Sequence, residues 1–271
     1  MRDRSETLLN PVETRIAEMV IAREESRRTH LVVALSGAHA YGFPSPDSDL
    51  DLKAIHIAPT ESLLGFADAY VAADRLETIE GVEIDYTSNE IGPVLRGVLS
   101  GNGNYAERIL GAPILHAAPE LEGLIPLAKA SLSKRIYRHY KGFAESQLRA
   151  LDKASAATAK SVLYVLRTTL TGAHALDHGE IVPDLATLKD HYGFSHAAEL
   201  IERKKAGERT PLDASVLERW RSELERAFQT LDESLRRSVL PDAPTNADAL
   251  EAWLIELRSK RLVSARATGS T

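Results

Sequence analysis

Two aspartates separated by one residue, Asp49 and Asp51, form the part of the sequence best suited to chemistry. They follow a glycine turn at Gly37, which comes directly after the apolar run 31–35, and they open a second, mostly apolar segment at 51–58. Residues two apart on a strand point the same way, so both carboxylates can face one site. Two such charges repel each other unless a cation lies between them, and carboxylate oxygens favour Mg²⁺, which also binds phosphate oxygens. The spacing therefore predicts metal-assisted phosphoryl or nucleotidyl transfer.

A surface turn is the alternative explanation of the same stretch. Segment 44–49 is rich in proline, serine and aspartate, which are turn-forming residues, and acidic residues after proline are common in loops. The glycine turn that follows an apolar strand just upstream favours the metal site.

Asp85 is a candidate third metal ligand and general base. It lies between two apolar residues in the alternating segment 82–87, which is typical of a half-buried strand. Without other context such an acid would face solvent on the outer side of a sheet. Two metal ions about 3.5–4 Å apart need several carboxylate oxygens, and one carboxylate can also accept a proton from an attacking hydroxyl. Beside the pair Asp49 and Asp51, Asp85 fits that description.

The elements that must position these acids form an α+β half, 1–118, followed by an all-helical half, 119–271. In the first half, strands are predicted at 30–36, 51–58 and 82–87, and helices at 11–28, 89–100 and 104–110. In the second half, helical periodicity covers 124–151, 155–178, 196–206, 213–238 and 246–262. No convincing strand pattern occurs between 121 and 262.

Composition sets outer limits on function. The chain has 271 residues, of which 44% are hydrophobic and 27% charged, as is ordinary for a globular protein. A net charge of −6 and a pI near 5.9 do not favour nucleic-acid binding by the overall field, although a local basic patch would suffice. The absence of cysteine excludes disulfides and thiolate metal sites. Because neither a signal peptide nor an apolar run of about 20 residues is present, we expect a soluble cytoplasmic protein.

Several blocks of the sequence resemble a known superfamily. Gly37-Ala38, followed by Asp49-Leu50-Asp51 and then by Asp85 on a later strand, is similar to the DNA polymerase β-type nucleotidyltransferases. The longer stretches 36–42 and 45–51 resemble a bacterial and phage subgroup of predicted nucleotidyltransferases that includes RNA-ligase-associated members. Weaker blocks at 104–110, 160–167 and 200–207 extend the resemblance over roughly 30–210.

The resemblance implies an enzyme that moves an NMP from an NTP to a hydroxyl acceptor and releases pyrophosphate. It implies a small mixed-sheet nucleotidyltransferase domain at 1–118 and a helical C-terminal domain at 119–271. Mg²⁺, or Mn²⁺ in its place, would be held by Asp49, Asp51 and Asp85. ATP is the default nucleotide, and the acceptor is left open between RNA, a small molecule and a protein hydroxyl, with RNA favoured by the RNA-ligase-associated members.

Ser36, Gly37 and Ala38 would bind the triphosphate according to the same resemblance. Ala38 stands where the family has a serine, which removes one hydrogen bond to a charged group, worth about 1.5–3 kcal/mol. Backbone N–H groups at Gly37 and Ala38 would remain, and Ser36 or His39 could compensate. A nucleotide-binding regulator or sensor that keeps the fold but has weakened catalysis is therefore the alternative function.

Lys160 and Arg167 lie seven residues apart and share one helix face. They are interpreted either as exposed charges beside an apolar stripe or as cleft residues that bind phosphate, Arg167 in a bidentate manner. Glu107 would orient such a cation or form an ordinary interdomain salt bridge.

A basic patch in the helix 124–151 is either an acceptor-binding surface or a solvated helix face. Its members are Lys134, Arg135, Arg138, His139 and Lys141, interleaved with Tyr137 and Tyr140. The histidines His39, His56 and His174 show no metal-ligand spacing, so no zinc site is predicted.

Overall fold

The computed structural model describes residues 8–66, 72–207 and 211–268. Its strands are β1 (Thr29–Leu35), β2 (Leu50–Ile57), β3 (Ala73–Ile79), β4 (Val82–Glu90) and β5 (Ile114–Ala117). The helices of the first half are α1 (Pro11–Glu25), α2 (Gly37–Ala40), α3 (Thr60–Leu64), α4 (Ile91–Leu99) and α5 (Gly103–Leu110). The remaining helices are α6 (Glu120–Ala130), α7 (Ile136–Lys153), α8 (Ala159–His178), α9 (Leu185–His191), α10 (Ala197–Ala206), α11 (Ala214–Arg237) and α12 (Ala247–Thr268).

The five strands form one mixed sheet in the order β3-β4-β2-β1-β5. β2 pairs antiparallel with β1 and parallel with β4, so the α+β class and the mixed sheet are confirmed. In the β2–β4 ladder Asp51 lies directly opposite Asp85. The parallel pairing thus brings together two acids that are far apart in sequence.

Strands β3 and β5 were not predicted. β3 forms a hairpin with β4 through Glu80 and Gly81, both of which have positive φ, as a tight two-residue turn of twisted strands requires. β3 is an edge strand that alternates exposed and half-buried residues, and its Leu76 side chain is exposed. β5 has only four residues and is half-buried, so neither strand carries a strong pattern of burial.

Helix α1 covers one face of the sheet. Asn10 caps it with a capping box to Glu13, and proline follows at the first helical position, where a missing N–H costs nothing. Its buried Ile16 and Val20 pack with Leu50 and Leu52 of β2. This packing assigns the even-numbered residues at the start of β2 to the core and leaves the odd-numbered ones for the other face.

The opposite face of the sheet is covered by helices from both halves of the chain. Val32 and Ile55 pack there with residues of α4, α6 and α12. The buried Glu90 carboxylate accepts a hydrogen bond from Arg258 of α12 at 3.0 Å, and Thr60 donates to the Arg258 carbonyl. The predicted domain boundary between residues 118 and 119 stays a prediction. Two helices that follow it in the chain, α6 and α12, pack on the side of the sheet.

Helix α8 is the centre of the helical half. Leu163, Leu166 and Leu170 are completely buried among residues of α7, α10 and α11. The predicted helix 124–151 is in fact two helices, α6 and α7, separated at 131–135, where Ser131 bonds both Leu127 and Asn246. The short helices α2, α3 and α9 also escaped prediction, since they are too short to show periodicity.

None of the helices in the described parts of the chain is both long and apolar enough to cross a membrane.

Two histidines are buried in the sheet without charge. Nε2 of His30 lies 2.7 Å from the Tyr86 hydroxyl, and Nδ1 of His56 lies 2.8 Å from the Ser88 hydroxyl. Burial, aided by neighbouring positive charge, lowers the pKa of His30 and of His56 to about 4. Both imidazoles are therefore neutral in the folded protein down to that pH.

We expect the free energy of unfolding to fall as the pH drops from 6.5 to 4. The unfolded chain binds protons at these histidines near pH 6.5 and the folded chain only near 4, so acid favours unfolding by up to about 3 kcal/mol per histidine at pH 4. Urea denaturation at several pH values measures the slope. His56→Asn should make it shallower, whereas the control His196→Asn, which removes a half-exposed ring, should not. Equal slopes in both variants would contradict the assignment.

Candidate active site

Asp51 and Asp85 share one cation in the structure. The ammonium group of Lys53 lies 2.7 Å from an Asp85 oxygen and 3.7 Å from an Asp51 oxygen. The Asp85 side chain is 37% exposed and that of Asp51 is 22% exposed, so both are within reach of a ligand. Lys53 thus offsets a repulsion that the strand register creates.

The electrostatics of Asp51 favour a cation at this point. Burial raises the pKa of its carboxyl above the ordinary value, and Asp85 and Asp49 raise it further, whereas Lys53 and Lys160 lower it. An ionised Asp51 is therefore costly unless positive charge is close. A bound divalent cation would supply that charge more strongly than one lysine.

Asp49 lies one residue before β2 and outside the lining of the cleft, which contains Asp51 and Asp85. Asp49, Asp51 and Lys53 are half-buried and alternate with the buried Leu50 and Leu52, so they share one side of the strand. The same period-2 argument that joined Asp49 to Asp51 could have been extended to Lys53. That lysine was missed in the sequence.

Gly37 makes room for the Asp51 carboxylate. Its φ is +62°, and a Cβ built on it would lie 1.8 Å from Oδ2 of Asp51. The Ser36 N–H donates to the Asp51 carbonyl at 2.9 Å, which fixes the turn against β2. A glycine is therefore required here both for the backbone conformation and for space.

Ala38 does not face the cleft. Its side chain is 4% exposed and packs in the helical core with Phe43 and residues of α8. We expected a hydroxyl at position 38 to contact a triphosphate. In the structure the side chain at this position is instead directed into the apolar core of the helical half. The Ser36 hydroxyl lines the cleft instead, 3.3 Å from the Tyr41 hydroxyl.

Arg167 is neither an exposed charge nor a cleft residue, in contrast to both interpretations of the sequence. Its guanidinium is buried, donates to Glu107 at 2.7 Å and stacks over the Tyr41 ring at 3.7 Å. Glu107 also accepts from the buried Tyr140 hydroxyl at 3.1 Å. Burial alone would lower the pKa of Arg167, but Glu107 and the neighbouring tyrosines raise it above the ordinary value. The salt bridge considered for Glu107 is present and joins α5 to α8.

Two other cations lie near the acids. Lys160, in the first turn of α8, is close enough to Asp51 to lower its pKa, and its ammonium lies 5.9 Å from the Tyr164 ring centroid. Arg108 lines the cleft and donates to Asn89 at 2.6 Å. Arg108 was overlooked in the sequence, although it directly follows Glu107.

The cleft over these groups has a volume of about 210 Å³ and is walled by both halves of the chain. The sheet side contributes Ser36, Asp51, Lys53 and Asp85, and the helical side contributes Phe143, Tyr164 and Pro183. The Phe143 ring is 37% exposed. An exposed ring opposite two carboxylates offers a stacking surface for an aromatic ligand.

The basic patch of α7 is largely engaged within the protein. Lys134 pairs with Asp242 at 2.9 Å, and Lys141 pairs with Asp232, which also accepts from the Tyr137 hydroxyl. Tyr140, which the sequence placed among the stacking residues, is completely buried. The interleaved tyrosines therefore serve packing and hydrogen bonding in this structure.

A protein-family model that matches most of this chain agrees with the family suggested by its motifs. A model of the RNA repair pathway DNA polymerase beta family matches residues 12–256. The uncharacterized protein MJ0002 of Methanocaldococcus jannaschii is 30% identical over 234 residues, which make up 85% of this chain and 93% of that protein. The solved structure of a nucleotidyltransferase-like protein from Exiguobacterium sibiricum 255-15 aligns with this chain at 11% identity and a TM-score of 0.34. The alignment covers 91% of this chain and 80% of that protein chain. With a match over most of its length, this chain belongs to the RNA repair pathway DNA polymerase beta family.

Proposed function

We propose that the protein is a Mg²⁺-dependent nucleotidyltransferase that moves an NMP from an NTP to a hydroxyl acceptor. The observation that carries the proposal is the pairing of Asp51 and Asp85 on adjacent parallel strands, with both carboxylates drawn to one cation at the edge of a cleft. Family membership supports transfer of a nucleotidyl group as the reaction class.

The donor set fits the proposed metal. Asp51 and Asp85 would hold Mg²⁺, or Mn²⁺, with Asp49 as a further ligand from the same side of β2. When bound, the metal would neutralise phosphate charge and polarise the reacting phosphate. Lys53 must give up its present contacts for this to happen, so the lysine and the metal compete for the same two carboxylates.

Asp85 is proposed to accept the proton of the attacking hydroxyl. Its carboxylate is the more exposed of the pair, so an acceptor can reach it. The acceptor oxygen forms a bond to the α-phosphorus, the bond from that phosphorus to the bridging oxygen breaks, and pyrophosphate leaves. Alignment of the two oxygens and compensation of charge contribute most to such a transfer.

The cations around the cleft would hold the triphosphate. Arg108, Ser36 and Gly37 line the cleft, and Lys160 lies close enough to Asp51 to lower its pKa. Gly37 and Ala38 would contribute only backbone N–H groups. Arg167 acts indirectly, since its buried pair with Glu107 positions Tyr41 beneath the cleft. Phe143 would stack on the nucleobase, which leaves ATP as the default without excluding other nucleotides.

An RNA hydroxyl is the proposed acceptor, on the strength of the family's description. The surface that would bind it is not the patch of α7 as a whole, because Lys134 and Lys141 are paired internally. A sensor that binds nucleotide without transfer is a second candidate, favoured by the placement of Lys53, which satisfies the acids without a metal.

The reaction can be tested with each of the four α-³²P-labelled NTPs, Mg²⁺ and RNA oligonucleotides that end in a 3′-hydroxyl. We expect label in the RNA and pyrophosphate in equal amount. Label that appears only in a small molecule or protein of an added cell extract would support transfer but overturn the RNA acceptor. Tight Mg²⁺–NTP binding by calorimetry without any label would favour the sensor over the enzyme.

Asp51→Asn and Asp85→Asn should separate binding from transfer. Asp85→Asn keeps the size but loses basicity, so kcat should fall by about a hundredfold or more while NTP affinity changes little. Asp51→Asn should lose Mg²⁺-dependent binding as well. Glu83→Gln, an exposed acid two residues earlier on β4, is the matched control and should remain active. Parallel loss of binding and turnover in Asp85→Asn would count against its role as base.

Gly37→Ala should disable the site through lack of space. The new methyl would collide with Oδ2 of Asp51 and displace the carboxylate. Gly81→Ala is the control, because it has a φ of +84° but no atom within 4 Å of a new Cβ. Both variants should lose about 1–2 kcal/mol from backbone strain, and only Gly37→Ala should also lose transfer by more than about tenfold. Similar transfer activity in the two variants would mean that the site does not require a glycine at position 37.

Lys53→Met tests the competition between lysine and metal. Without the ammonium, the Mg²⁺ concentration for half-maximal NTP binding should fall by about three- to tenfold, equivalent to about 0.7–1.4 kcal/mol. The metal-free protein should become less stable, because two carboxylates then face each other uncompensated. Lys129→Met, an exposed lysine paired with Glu180, is the control. A higher Mg²⁺ requirement would mean that Lys53 assists ligand binding instead of opposing it.

A further inference from the structure

A cluster of three histidines lies in the helical half, outside the acidic site. His174 and His178 are four residues apart on α8 and therefore share one helix face, and His191 ends α9. One potential ligand atom from each histidine lies within 4.8 Å of the other two. Nε2 of His178 and Nε2 of His191 are 3.3 Å apart.

We propose that His174, His178 and His191 bind a divalent transition-metal ion, Zn²⁺ being the best fit. Zn–N bonds of about 2.0–2.1 Å in a tetrahedral site place neighbouring ligand nitrogens about 3.3–3.4 Å apart. The two closest imidazole nitrogens already have that separation. Three imidazoles without a thiolate or ligating carboxylate match the preference of Zn²⁺ and its neighbours in the first transition row.

Packing and hydrogen bonding alone account for the cluster less well. A hydrogen bond between two neutral imidazoles would use one nitrogen of His178 and one of His191 and would leave His174 aside. In the structure the His174 ring lies beside both other rings, with centroids 4.5 and 5.5 Å away, and its buried Nδ1 has no hydrogen-bond partner among the described residues. A shared ion explains why all three rings converge.

The remaining coordination position would face a solvent-open hollow. The hollow is lined by His178 and His191 together with Asp177, Tyr192 and Arg237. Asp177 accepts two hydrogen bonds from Arg237 and one from the Tyr192 hydroxyl. Because that carboxylate is engaged, water is the natural fourth ligand.

The site would tie together the two ends of segment 178–191. Within this segment Pro183 forms part of the cleft wall, and the Leu185 N–H donates to the Tyr41 carbonyl at 3.0 Å. A bound ion would therefore hold this part of the cleft wall in place. The four-residue spacing of His174 and His178 was overlooked in the sequence, and the third histidine, His191, lies 13 residues further on in another helix.

The test uses the full chain without a histidine tag, stripped of metal by a chelator. Equilibrium dialysis against Zn²⁺, followed by elemental analysis, should give about one ion per chain for the wild type and about none at this site for the double variant His178→Ala/His191→Ala. His196→Ala is the control, because it removes a half-exposed histidine from outside the cluster and should bind as the wild type does. Equal binding by the wild type and the double variant would overturn the proposal.

Two further measurements keep the outcome independent of variant folding and of nucleotidyl transfer. Co²⁺ added to the stripped wild type should give the intense visible absorption of a tetrahedral site, and Zn²⁺ should abolish it; a weak octahedral spectrum would overturn the assignment. Zn²⁺ at about 100 times its Kd should raise the Tm of the wild type and of His196→Ala by several degrees. The single variant His191→Gln should lose most of that increase, and an undiminished increase would contradict the site. The proposal does not depend on the proposed function.

Discussion

Repulsion between Asp51 and Asp85 is the constraint on which the site depends. The two carboxylates face each other because β2 and β4 are parallel and in a fixed register. The register is held by Leu50 and Leu52, the apolar residues on either side of Asp51 in β2, which are completely buried under α1. A slip of one residue would send the acids into that core and the leucines to the cleft. The burial of the leucines in the core therefore also fixes the position of the acids in the site.

The helical half supports this site through a buried ion pair. Arg167 and Glu107 connect α8 to α5, and Tyr41 and Tyr140 complete the network on either side. Charges this deeply buried are tolerated only when they are paired, and loss of one partner typically costs about 3–5 kcal/mol. The pair therefore fixes the relative position of the two walls of the cleft, which a purely apolar interface would specify less sharply.

Local patterns in the sequence predicted the strands that carry the acids better than they predicted the residues around them. The mostly apolar segment 51–58 and the alternating segment 82–87 predicted the strands that carry Asp51 and Asp85, whereas the adjacency of these strands comes from the parallel pairing of β2 with β4. The spacing of Lys160 and Arg167 indicated a shared helix face but not which element covers it, and Arg167 is in fact enclosed by Glu107 and Tyr41. The burial of Ala38, like the meeting of α8 with α9, depends on tertiary packing that no short window contains.

The contact between Arg258 and Glu90 affects the order in which the chain can fold as it is synthesised. Glu90 caps the start of α4 from a buried position, and its charge is compensated by a guanidinium 168 residues further along. Until α12 has left the ribosome, that carboxylate and the apolar surface of α4 lack their cover. The sheet that carries the acids is thus made and covered early, whereas the surface of α4 that α12 covers stays exposed in the nascent chain until the whole helical half has been added.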